Sequence, residues 1–234
     1  MKLTLLGTSA GEGYPGFWCE CPNCAAARRM GGKNVRGNGC SMLDEDVLID
    51  MNEHFFEMTP RMDIHPARID TLLVTHPHRD HFTPMLLSQR AMPAECVGMT
   101  IEQLQAYISP SFTLLPMLHV YGNYIIRRDG KTLLYASDTG GYTPDMLELV
   151  LAQQYDCVVM EGTFGLGAEC EGHMCLRKNI RMRDLLTAHG CWKNGVNMHL
   201  THICPHWAPP HEEYAAIVAA EGMELGYDGQ AIEI

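Results

Sequence analysis

Apolar and polar positions along the chain mark out a run of short strands and helices. Lys2–Leu6 alternates as a first strand and leads into a glycine-rich loop. Val47–Asp50 and Thr71–Thr75 read as two further strands. Tyr124–Arg128 and Lys131–Ala136 flank Asp129-Gly130, a pair suited to a type I′ hairpin turn, where both central residues need positive φ. Cys157–Met160 is an unbroken apolar run, the pattern of a strand buried on both faces. Val196–His202 and Ala231–Ile234 complete the strands. Thr100-Ile101-Glu102-Gln103 has capping-box spacing and predicts a helix through Ile108. Thr143-Pro144 predicts another through Gln153, with proline at its first position. Arg177–His189 reads as a helix stopped by Gly190, and Glu212–Glu221 as one stopped by Gly222. Hairpin strands followed by strands alternating with helices predict an α/β chain, with two packed sheets and helices outside. No linker, repeat or low-complexity stretch divides it, so residues 1–234 are expected to form a single domain.

Composition narrows the picture. A chain of 234 residues suits one large core. The formal net charge of −11 argues against tight nucleic-acid binding, which phosphate neutralisation drives. The apolar run in Met1–Gly7 is far too short for a signal peptide, and no run approaches a membrane span. The expected location is therefore cytoplasmic, with no membrane partner. In that compartment the ten cysteines point to metal ligation or buried thiols rather than disulfides.

The candidate chemistry centres on Thr75-His76-Pro77-His78-Arg79-Asp80-His81, directly after an apolar strand. Three imidazoles and a carboxylate on one short loop are a metal-ligand pattern. His119, Asp138 and His202 each follow an apolar run, at strand ends that can converge on one sheet edge. Cys19, Cys21 and Cys24 form a C-x-C-x-x-C island, predisposed to bind zinc.

These islands resemble the metallo-β-lactamase superfamily of metal-dependent hydrolases. So do Gly7-Thr8-Ser9-Ala10, Leu48-Ile49-Asp50, Ser137-Asp138-Thr139, Leu200-Thr201-His202-Ile203 and Gly226-Tyr227-Asp228-Gly229. The H-x-H-x-D-H form is similar to the two-metal branch. Within it the likeness is greatest to the phosphoribosyl cyclic phosphate phosphodiesterase of phosphonate breakdown.

The resemblance implies an αββα sandwich of two mixed sheets with the metal site at one edge. It implies two catalytic divalent metals, manganese or zinc. His76, His78 and His119 would bind the first, Asp80, His81 and His202 the second, and Asp138 would bridge them. Asp80 would also orient the activated hydroxide. His173, in Glu171-Gly172-His173-Met174, is the candidate proton donor to the leaving group, on a loop hinged at Gly172. Arg177 or Lys178 could instead neutralise the substrate. Asp50 is expected to support ligand histidines, with Asp228 either doing the same or forming a plain turn. Relatives carry Asp-x-Gly where this chain has Asp50-Met51-Asn52, and Asn52 also tolerates positive φ. A structural zinc would sit on Cys19, Cys21 and Cys24, completed by His206 in preference to Cys204.

The implied activity is hydrolysis of a small phosphate ester, cyclic esters included, by a phosphodiesterase. The alternatives are an RNA-processing nuclease of the same fold and a non-catalytic metal-binding accessory protein. Specificity would lie in loops Pro84–Met99 and Gly162–Cys175, and a homodimer is left open as the assembly.

Overall fold

The computed structural model describes residues 1–83, 85–86, 113–117 and 123–234, with 113–117 as backbone alone. His119 and the helix expected from Thr100 lie outside the described residues. Five strands form one sheet: β1 (Lys2–Gly7), β2 (Cys40–Leu43), β3 (Val47–Ile49), β4 (Thr71–Leu73) and β11 (Gln230–Glu233). Their order is β11-β1-β2-β3-β4, antiparallel except for the parallel β3–β4 pair. The second sheet contains β5 (Thr113–Met117), β6 (Asn123–Arg128), β7 (Lys131–Ala136), β8 (Cys157–Glu161), β9 (Met198–Thr201) and β10 (Glu224–Leu225), in the order β10-β9-β8-β7-β6-β5. It is antiparallel from β5 to β7 and parallel from β7 to β10.

Period-2 alternation sorts the side chains into layers. Leu3, Leu5, Val47 and Ile49 of the first sheet pack with Tyr124, Ile126, Leu133, Tyr135 and Val159 of the second, forming the core between them. The intervening residues face the opposite way. Ile125, Leu134, Ala136, Val158 and Met160 pack with Met146 and Val150 of α3 (Pro144–Leu151), Met182 and Leu186 of α4 (Leu176–Ala188) and Tyr214 and Val218 of α5 (His211–Ala220). Met42 and Leu48 lie with Phe55 and Met58 of α2 (Phe55–Arg61) on the far side of the first sheet. The layers are thus helix, sheet, sheet, helix. Each fully buried Leu or Ile contributes about 1.5–3 kcal/mol.

Local sequence explains the boundaries. Asp129 and Gly130 have φ of 51° and 74°, as the β6–β7 turn requires. The Thr143 hydroxyl accepts from Met146 N, with Pro144 at the first position of α3. Gly190 and Gly222 take positive φ after α4 and α5. Helix α3 stops at Leu151 rather than Gln153, and β9 begins at Met198 rather than Val196. Five of the strands and α-helices described escaped the apolar pattern: α1 (Pro22–Met30), β2, α2, β5 and β10. Helix α1 begins inside the cysteine island, capped by Cys21 with Pro22 following. No helix of the described residues is long and apolar enough to cross a membrane.

Strands β7, β8 and β9 run parallel as neighbours, so their carboxyl ends open at one edge. Asp138 follows β7, Glu161 ends β8 and His202 follows β9. The loop after β4 brings the histidine-rich segment to the same place.

Candidate metal centre

Two groups of donors meet at this edge. His76, His78 and Asp138 form one, and Asp80, His81 and His202 the other. His76 Nε2 lies 3.0 Å from His78 Nδ1 and 3.3 Å from Asp138 Oδ2. His81 Nε2 lies 3.1 Å from His202 Nε2, and both are 3.4 Å from Asp80 Oδ2. Asp138 Oδ2 is also 3.9 Å from His81 Nε2, so this carboxylate faces both groups. Six of the seven residues expected in the dimetal site therefore come together, and the seventh, His119, lies outside the described residues.

Buried partners fix which ring nitrogen faces inward. Asp50 Oδ2 is 2.7 Å from His81 Nδ1. An ionised carboxylate only accepts, so Nδ1 carries the proton and Nε2 offers its lone pair. Thr163 Oγ1 donates to His202 O at 2.9 Å and lies 2.8 Å from His202 Nδ1, which sets the same tautomer there. Thr75 Oγ1 donates to Asp50 and lies 3.1 Å from His76 Nδ1. Asp50 is fully buried, takes a φ of 62° and also accepts from Thr75 N at 2.7 Å. Its expected role beside a candidate ligand histidine matches this geometry. Asn52 works differently from expectation. The positive φ falls on Asp50, and the Asn52 amide instead donates to Gly39 O and Asp80 O, both at 2.8 Å. Gly11 gives the Asp80 carboxylate room, since a Cβ there would sit 3.3 Å from Asp80 Oδ2.

The electrostatics favour a positive charge between the groups. Burial opposes a positive charge at His81, yet Asp50 and Asp80 outweigh it and favour one there, which a cation on Nε2 would supply in place of a proton. Burial, with His81 next, drives His76 down to about 3. Burial would raise both carboxylates, but the histidines around them hold Asp80 below the usual range and Asp138 down to about 2. Nitrogen lone pairs and ionised carboxylate oxygens converging at these distances repel one another unless a cation lies among them. Asp138 Oδ1 is buried, with the ion pair to His173 Nδ1 at 3.2 Å as its described contact. Imidazole and carboxylate donors in such a set fit divalent zinc or manganese.

His173 reaches the rim of this centre. Its Nδ1 is 2.5 Å from Glu161 Oε1 and 3.2 Å from Asp138 Oδ1, and its half-buried ring stacks on Phe164 at 5.6 Å. Asp138 and Glu161 hold its imidazolium up to about 10. Glu161 escaped the sequence reading. It is fully buried and also accepts from Thr139 N at 2.5 Å. A lone carboxylate closing the apolar strand Cys157–Met160, at the same edge as Asp138 and His202, was the available signal. Gly172 needs no special backbone angle, and the close approach falls on Gly140 instead. The Lys178 ammonium lies against the main chain. Its Nζ lies on Gly140 O, Cys170 O and His173 O. Among the described residues Asp228 bonds no candidate ligand histidine; it accepts from Thr8 Oγ1 and Gly37 N at 2.7 and 2.6 Å.

The cysteine island forms a separate cluster. The Cys19, Cys21 and Cys24 sulfurs lie within 4.8 Å of one another. His206 Nε2 is 3.3 Å from Cys19 Sγ, while Cys204 Sγ lies 3.5 Å from Nδ1 on the other side of the ring. Three thiols with a facing imidazole fit a tetrahedral zinc site.

No family model matches the chain. It is 22% identical to coenzyme PQQ synthesis protein B of Acinetobacter baumannii (strain SDF), over 100% of both chains. Among solved structures it is similar to a diphosphatase of the PhnP family, with a TM-score of 0.74 and 19% identity over 100% of this chain and 97% of that one. The Zn²⁺-bound PqqB of Methylobacterium extorquens gives 0.71 and 17% over the whole of both chains. The metallo-β-lactamase fold protein YhfI of Bacillus subtilis gives 0.65 and 16%, over 100% of this chain and 99% of that one. With its two mixed sheets, outer helices and donor cluster at the sheet edge, this chain has the metallo-β-lactamase fold.

Proposed function

We propose that the chain is a metal-dependent phosphodiesterase acting on a small phosphate ester, cyclic esters included. The reading is carried by one observation: two three-residue donor groups meet on the carboxylate of Asp138. His76, His78 and Asp138, joined by His119, would hold one divalent cation, and Asp80, His81, His202 and Asp138 the other. Such a pair, when bound, polarises phosphoryl oxygens and lowers the pKa of water.

The chain's own residues supply the rest. The ionised Asp80 carboxylate accepts a hydrogen bond from the attacking water and orients it. Asp50, Thr75 and Thr163 hold the imidazole rings in the tautomers that face the centre. Glu161 and Asp138 engage His173 Nδ1, which leaves Nε2 to give its proton to the departing oxygen. Cys19, Cys21, Cys24 and His206 would hold a structural zinc that pins the N-terminal loop beside the segment that follows β9.

Metal analysis together with a screen on bis-p-nitrophenyl phosphate and small cyclic phosphates tests this reading. The expected result is about three ions per chain, with turnover that chelation abolishes. Turnover of a tRNA 3′ trailer but of no small ester would move the assignment to a nuclease. The full-length similarity to PQQ synthesis protein B favours a second reading, a non-catalytic metal-binding accessory protein. One ion per chain and no turnover would establish it. Cys21→Ser tests the structural zinc: it should release one ion and lower the melting temperature more than it changes turnover per active centre. Unchanged metal content would remove that site.

A further inference from the structure

The first turn of α4 carries a cation where one is out of place. Lys178 is the third residue of this helix, which has no acidic residue in its first turn. The positive end of the helix dipole disfavours a cation there by about 0.3–1 kcal/mol. Lys178 Nζ lies 2.7 Å from Gly140 O, 2.6 Å from Cys170 O and 3.1 Å from His173 O. An ammonium has three N–H donors, and three main-chain carbonyls take them. Those carbonyls belong to two loops, one running on from Asp138 and the other carrying His173.

The loops also meet backbone to backbone. A Cβ at Gly140 would lie 2.0 Å from Glu171 O and 2.9 Å from Gly172 C, so only glycine permits the approach. The next residue of the helix extends the contact. Asn179 Nδ2 donates to Glu161 O at 2.9 Å, and Glu161 is the carboxylate that engages His173. A single helical turn therefore touches the main chain of His173, of Glu161 and of the loop after Asp138.

We infer that Lys178 is a positioning residue: its ammonium clamps the His173 loop to the loop after Asp138 and sets where the His173 ring stands. The inference rests on His173 acting as proton donor. Removing the ammonium strips three carbonyls of a shared donor, and the two loops lose their common anchor. The ring then misses the leaving oxygen while the donors on His76, His81 and His202 keep their places.

Two measurements on the metal-loaded full chain decide it. In hydrogen exchange, Lys178→Met should speed the amides of residues 139–141 and 171–174 by about tenfold or more, leaving β7 and β8 unchanged. In turnover, the same variant should lose about 10- to 100-fold on a diester with an alkoxide leaving group, the scale of a small misplacement. On a p-nitrophenyl diester it should lose less than about threefold, since that group departs without a proton. Lys178→Arg should recover part of the alkoxide rate, and Lys178→Met added to His173→Ala should cost nothing more. Lys178→Gln serves if the methionine variant does not fold. Unchanged exchange, equal losses on both esters, or losses that multiply in the double variant would overturn the inference. A wild-type chain that turns over neither ester sinks the phosphodiesterase reading instead, and the exchange measurement still decides the clamp.

Discussion

Around Arg36 a buried cluster of arginine, aspartate and histidine is closed on itself. Around Asp138 a cluster built from similar residues is left open. Arg36 Nη1 donates to Thr8 Oγ1 at 2.7 Å and to Gly226 O at 2.5 Å, and Nη2 lies 2.8 Å from His211 Nδ1. Thr8 Oγ1 in turn donates a hydrogen bond to Asp228, which also accepts from Gly37 N. Among the fully buried side-chain atoms of that cluster only Arg36 Nε lacks a partner. At the other cluster acceptor faces acceptor: His81 Nε2 against His202 Nε2, and His76 Nε2 against Asp138 Oδ2. A buried polar group without a complement costs free energy. A fold keeps such a cost where a ligand removes it, so composition alone does not separate a structural cluster from a site. The direction of the lone pairs does.

The largest expected effect comes from removing the group that both donor sets share. Asp138→Ala should lose one or both cations of the pair and cut diesterase turnover by about 10³-fold or more, the scale of losing a group that holds transition-state charge. The fold should persist, because the residue sits at a sheet edge outside the inter-sheet core. Metal analysis, turnover and circular dichroism measure the three parts. Two retained cations with near-normal turnover would break the comparison at its centre.

His173→Ala tests the rim of the open cluster. Turnover of an alkoxide ester should fall by about 10²–10⁴-fold, with much less loss on p-nitrophenyl esters and no change in metal content. Equal losses on both esters would instead make His173 a phosphate-binding group.

Asp50→Asn sharpens the comparison by leaving every donor atom in place and disturbing only the His81 tautomer. Metal affinity should drop by about 10- to 100-fold, read by chelator competition. Affinity equal to wild type would mean that the Asp50 contact does not set the ring.

Much of this was legible in the chain, and the gaps have physical causes. Asp129-Gly130, Thr143-Pro144 and the glycine stops are local signals, in which one or two residues dictate a backbone angle or a cap, and the structure repeats them. The histidine loop was legible because its ligand types are dense over a few residues. Strand β2 was not, because Cys40–Leu43 is buried on both faces and shows no alternation. Helix α2 carries Pro60 within it, which masks its helical character. Glu161 was overlooked because the strand before it reads as pure core. Asp50 shows the converse: its neighbourhood was anticipated, but the positive φ was looked for at Asn52. Pairing across sheets decides these cases, and it depends on residues far apart in sequence.

The smallest effect expected belongs to the closed cluster, and its sign discriminates. A guanidinium only donates, so His211 Nδ1 must accept and the ring stays neutral. Burial, with Arg36 next, brings His211 down to about 4. The unfolded chain takes up a proton near pH 6.5 and the folded chain near 4. Stability from this residue is therefore complete above about pH 6.5 and is lost as pH falls toward 4, by on the order of 2 kcal/mol after allowing for partial solvation. Asp228 works the other way. Burial raises its carboxyl to about 6, so its contribution falls as pH rises from about 4 to 6. The two trends offset in the wild-type profile, and only a difference profile exposes either. His211→Asn keeps an acceptor for Arg36 and cannot titrate. Melting temperatures of wild type minus His211→Asn should decline steadily from pH 6.5 to pH 4 in the metal-loaded protein. A flat difference would show that His211 is not held neutral by Arg36, and the contrast between a closed and an open cluster would lose one of its two sides.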